Sequence, residues 1–112
     1  MRTMNFKMPL YPARIKVFFC LEDFYNKYPE EAHKDATGIN AFVCEKEGVI
    51  CIVIISYTDA TLAHESVHAA WAVLNWTGVK VSYDNDEPLA YCVDYIFGKV
   101  QSHRQKELAK CD

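Results

Sequence analysis

Residues 58–78 read T-D-A-T-L-A-H-E-S-V-H-A-A-W-A-V-L-N-W-T-G. Thr58 or Asp59 can accept hydrogen bonds from the free N–H groups of a first helical turn. Gly78 is the residue type that ends a helix in the left-handed conformation. The alanine-rich run between them holds neither proline nor glycine, which predicts a helix over about 60–76. That helix is apolar nearly all round, so the pattern places it in the core. Yet its middle carries His64, Glu65 and His68 in the order H-E-x-x-H. A buried helix holds two imidazoles and a carboxylate only at a cost, unless something satisfies them.

A divalent metal and its water would do so. Residues four apart share a helix face, so His64 and His68 can aim both rings at one point. Two imidazole donors suit tetrahedral zinc, at distances of roughly 2.0–2.1 Å. Glu65 is turned about 100° from His64, beside that point rather than on it. It is placed to hold a water and take its proton. A third protein ligand is needed, and Glu87 is the leading candidate. It stands 19 positions after His68, in the first turn of the next helix, where the helix dipole favours a carboxylate. Two histidines and a glutamate leave one position open, as catalytic zinc sites do.

The rest of the chain predicts a small α+β domain: an antiparallel or mixed sheet packed on the H-E-x-x-H helix and a C-terminal helix. A-R-I-K-V-F-F-C-L (13–21) reads as a strand after a proline-punctuated start. Residues 22–38 are polar, with helical stretches broken around Pro29 and a stop at Gly38. A-F-V-C-E-K-E-G-V-I-C-I-V-I-I-S (41–56) reads as a hairpin turning at Lys46–Gly48, its second arm apolar on both faces and so an inner strand. That turn sets Cys44 opposite Cys51, a pair that either stays reduced or closes a disulfide. Residues 79–86 are a short connection with a strand-like piece. The last helix starts near Asp86 and Pro88. From Gln101 it turns polar, so 101–112 reads as a tail that projects into solvent or frays.

With 112 residues, the chain makes one domain, 1–112. At 51% hydrophobic and 24% charged it has a globular composition, and scattered cations with a net charge of −3 exclude a nucleic-acid stripe. The longest apolar run, 49–55, is too short to span a bilayer, and no membrane role is read. The N-terminus lacks a signal-peptide pattern, so the expected compartment is cytoplasmic. The odd count of five cysteines fits reduced thiols there.

H-E-S-V-H and the downstream D-E-P-L-A-Y resemble the gluzincin type of zinc metallopeptidase, with its H-E-x-x-H and N-E-x-x-A/S elements. Residues 61–97 are also similar to small phage and prophage proteins that carry H-E-x-x-H, a G-V-K-V-type turn and an E-x-L-A-Y helix; for a phage protein the compartment is the host cytoplasm. The resemblance implies a zincin-like domain with one zinc per chain, held by His64, His68 and Glu87, with Glu65 as general base. It implies a peptide or protein substrate, laid as an added strand along one edge of the sheet. Larger members carry an Asp four residues after the glutamate ligand, which orients a zinc histidine. Tyr91 stands there in this chain, and Asp94 or Asp59 is the alternative. Larger members also bring a His or Tyr from a second lobe to stabilise the oxyanion; Tyr83, Tyr91 and His103 are the candidates here. The second reading is a latent or non-catalytic zinc-binding phage protein that acts by binding a host protein. Latency would follow if His103, Cys111 or Asp112 in the tail covered the open zinc position. His33 reads as an ordinary surface histidine.

Overall fold

The computed structural model describes residues 3–110. Its elements run β1 (Met4–Lys7), β2 (Arg14–Phe18), α1 (Leu21–Lys27), β3 (Ala41–Lys46), β4 (Val49–Ile54), α2 (Asp59–Trp76) and α3 (Glu87–Lys110), with a 3-10 turn at Pro29–Glu31. The strands form one mixed sheet in the order β1-β2-β4-β3. The outer pairs are antiparallel and β2 pairs with β4 in parallel. The α+β expectation therefore holds.

β4 is paired on both sides, which is why V-I-C-I-V-I is apolar throughout. Ile50, Ile52 and Ile54 face α2 and α3, together with Ile15 and Val17 of β2. Cys51 and Val53 face the other way and meet Phe18, Phe24 and Tyr28. Helix α1 thus covers one face of the sheet while α2 and α3 cover the other.

The β3–β4 turn puts Glu47 at φ 52° and Gly48 at φ 78°. Two consecutive positive φ values mark a two-residue type I′ turn, whose twist suits a hairpin. The register closes Lys46 on Val49 and sets Cys44 directly opposite Cys51. The hairpin therefore forms where the sequence puts it.

α2 is capped by Thr58, whose Oγ1 accepts from the Thr61 N–H at 2.9 Å. Its other end closes through Gly78 at φ 79°, with Val79 N–H donating to the Leu74 carbonyl at 2.9 Å and Gly78 N–H to the Asn75 carbonyl at 3.3 Å. That double closure is a Schellman motif. Thr58→Ala should lower stability by about 0.5–2 kcal/mol in urea denaturation, with an unchanged m-value.

Three expectations need correction. First, α2 is not buried all round: Leu62, Ser66, Ala69, Ala70 and Val73 are buried, but Val67 is 41% and Trp71 50% exposed. Helix α1 packs on the far side of the sheet, and among the described residues no element covers this face of α2. Second, Met4–Lys7 within the proline-punctuated start is a strand with Met4 and Phe6 inward; an alternation only four residues long is too short to mark a strand by pattern alone. Third, α3 stays helical to Lys110 and the start of its polar end is packed, while most of residues 105–110 project into solvent as the composition indicates. The His103 ring stacks on Phe19 at 5.7 Å, and the Arg104 guanidinium lies 3.7 Å from the Tyr57 ring centroid. Cys111 and Asp112 lie outside the described residues.

Candidate functional site

Spacing on α2 sets the first layer of the site. His64 and His68 are both exposed, one turn apart, with ring centroids 4.9 Å from each other. Their Nε2 atoms are 3.2 Å apart. For zinc–nitrogen distances of about 2.0–2.1 Å, two corners of a tetrahedron lie roughly 3.3–3.4 Å apart. The nitrogens thus stand at the separation a shared metal requires.

Glu65 lies beside the pair and is only 6% exposed. Its Oε2 is 4.0 Å from His64 Nε2, beyond hydrogen-bond distance. Carboxylate and imidazoles share one cleft, whose other wall is β3: Ala41, Phe42, Val43, Cys44 and Glu45 line it, with Ala72 at its end. The cleft encloses about 480 Å³. A second recess continues it past Ile39, Asn40, Ala60 and Thr61.

β3 is the edge of the sheet. Register decides which of its backbone groups are free. In a two-residue hairpin the pair next to the turn, Lys46–Val49, exchanges both hydrogen bonds, and bonded pairs alternate from there. Cys44–Cys51 and Phe42–Val53 are then bonded pairs, in phase with Ile55 N–H donating to the Asn40 carbonyl at 2.8 Å. The N–H and C=O of Ala41, Val43 and Glu45 consequently point away from β4, along the open edge beside Glu65. Which strand forms this free edge is not fixed by the sequence alone. Its signal was the weaker apolarity of A-F-V-C-E-K against V-I-C-I-V-I.

The other predicted site residues fall elsewhere. Glu87 is exposed in the first turn of α3. Among the described residues, no third His, Cys, Asp or Glu joins His64 and His68 in a metal-holding group. Two protein donors fit zinc, and the third is not assembled. Asp94 lies in an apolar groove with Ala63, Leu89, Val93 and Phe97. Tyr83 is 95% exposed and Tyr91 37%; neither lines the cleft. Asp59 accepts from the Tyr57 hydroxyl at 2.6 Å and from Gln101 Nε2 at 3.4 Å. Those two donors hold its carboxyl below the usual range, while burial, with Asp59 beside it, pushes the Tyr57 hydroxyl up to about 12. Asp59 therefore ties α2 to α3 rather than orienting either histidine. His103, on Phe19, is also outside the cleft.

No helix among the described residues is long and apolar enough to cross a membrane. Compared with protein-family models, curated proteins and solved structures, the chain matches none.

Proposed function

We propose that this protein is a minimal zinc-dependent metallopeptidase that hydrolyses peptide bonds with Glu65 as general base. The observation that carries the reading is one cleft in which two Nε2 atoms converge at 3.2 Å, beside a nearly buried carboxylate, under a free sheet edge. His64 and His68 would hold the zinc. Glu87 is the proposed third donor, from its exposed position at the start of the neighbouring helix. When bound, the ion supplies Lewis acidity that polarises a carbonyl and lowers the pKa of a water.

The remaining work belongs to the chain. The backbone groups of Ala41, Val43 and Glu45 pair with an extended peptide, which becomes an added strand. That pairing fixes the depth and direction of the scissile bond relative to Glu65. The carboxylate takes a proton from the attacking water and returns it to the leaving nitrogen.

Metal content tests the ligand set. Protein purified without chelator or nickel should carry close to one zinc per chain by mass spectrometry. Glu65→Gln should keep it, His64→Ala and His68→Ala should lose it, and Glu87→Gln should weaken zinc binding at least tenfold. No zinc in the wild type, even after zinc is added back, would sink the metallopeptidase reading.

A further inference from the structure

On the far side of β3 from Val43 and Glu45 lies a second reactive feature that the peptidase reading does not use. Cys44 and Cys51 are cross-strand partners in register, and both are free thiols. We propose that Cys44 and Cys51 form a reversible dithiol–disulfide pair, with Cys44 taking the oxidising equivalent from a low-molecular-weight disulfide and Cys51 resolving it.

Geometry comes first. The two residues form a hydrogen-bonded antiparallel pair, for which Cα atoms are about 5.5 Å apart. Disulfides span Cα distances of roughly 4.4–6.8 Å, so the backbone need not move far. Cβ atoms in such pairs are about 5 Å apart, against about 3.8 Å in a relaxed disulfide. The link is therefore strained, and strained disulfides are the readily reduced ones.

Access divides the roles. Cys44 is half-buried and opens on a pocket of about 250 Å³ formed with Phe24, Tyr25, Lys34 and Phe42. Cys51 is fully buried. The one hydrogen bond of the Cys51 thiol runs to the Val49 carbonyl of its own strand, at 4.0 Å. The outer sulfur is thus the one a small disulfide can reach, and the inner sulfur the one placed by register to resolve the adduct.

The exchange balances as follows. Cys44 loses its proton and attacks one sulfur of the disulfide RSSR; the S–S bond breaks, Cys44–S–S–R forms, and RS⁻ leaves and is protonated. The Cys51 thiolate then attacks the Cys44 sulfur, expels the second RS⁻ and closes the Cys44–Cys51 bond. Two protein thiols are oxidised and one small disulfide is reduced to two thiols. Exposed Cys20 has no opposed partner in the sheet and serves as the internal control.

The test is to equilibrate the full chain in oxidised and reduced glutathione, quench with acid, alkylate, and map the products by mass. The expected wild-type product is lighter by two hydrogens, with two of its five cysteines lost to alkylation and Cys44 joined to Cys51. Excess reduced glutathione should reopen it. Cys51→Ser should stop at a glutathione adduct on Cys44, and Cys44→Ser should leave Cys51 fully reduced. A link between any other two cysteines would overturn the proposal. So would a wild type whose Cys44 adduct never resolves, or Cys51→Ser protein without a Cys44 adduct. The wild-type map decides the question even if a variant fails to fold.

Discussion

Glu65→Gln should reduce peptide hydrolysis by about 10²–10⁴-fold, the range by which a positioned proton-transfer group accelerates such a step, while zinc stays bound. Glutamine keeps the size and the hydrogen-bonding oxygen but cannot take a proton. The measurement is cleavage of a peptide library by zinc-loaded wild type and variant side by side. Equal turnover by the two would remove Glu65 from the mechanism. Zinc-loaded wild type that cleaves nothing would favour the non-catalytic zinc-binding reading instead. Stability supplies an independent arm. Glu65 is 6% exposed, and its nearest potential cation, His64 Nε2, is 4.0 Å away. Its carboxylate opens on the cleft without a hydrogen-bond partner in the chain and so adds little to the fold, whereas an apolar side chain of similar length at this position gains burial free energy. Glu65→Met should therefore raise the stability of the metal-free protein by about 1 kcal/mol in urea denaturation. A glutamate kept for structural reasons predicts the opposite sign.

Much of this arrangement was legible because it is written in local chemistry. Thr58 and Gly78 bracket α2 by capping rules that need no tertiary information. Glu47-Gly48 closes the hairpin by turn rules, and the turn length then forces Cys44 opposite Cys51. The H-E-x-x-H spacing dictates that two rings share a face. What was not legible depends on how whole elements are distributed. The open face of α2 follows from α1 being spent on the other side of the sheet, and no periodicity within 59–76 reports that. Glu87 illustrates the same limit. Its distance along the chain names it as a donor, but whether it reaches the histidines depends on the packing of α3, which spacing does not encode. The edge position of β3 lay between these cases: its composition hinted at exposure on one side, and only the sheet order, with β2 taking the other flank of β4, made it the wall of the cleft.

A proline scan of β3 separates the strand's structural side from its binding side. Cys44 N–H faces β4 in the register, so Cys44→Pro removes a ladder hydrogen bond and pushes the ring against the partner strand. It should destabilise the fold by about 3 kcal/mol or more. Val43 N–H faces the cleft and has no partner in the sheet. Proline is tolerated at such edge positions, and the extended residue before it is the conformation proline favours. Val43→Pro should therefore fold, with a loss confined to the packing of one half-buried valine. For substrate the order reverses. Removing the Val43 donor leaves a peptide carbonyl unpaired in the cleft, at a cost of about 1–3 kcal/mol, or roughly 5- to 150-fold in kcat/KM. Val43→Ala, which keeps the N–H, serves as the packing control. Circular dichroism, urea midpoints and peptide turnover on the three variants give the readout. If Val43→Pro cleaves peptides as well as Val43→Ala does, the substrate does not lie along β3, whatever the histidines bind. If Cys44→Pro is as stable as Val43→Pro, the alternation derived from the Glu47-Gly48 turn is wrong, and with it the assignment of which backbone groups face the cleft.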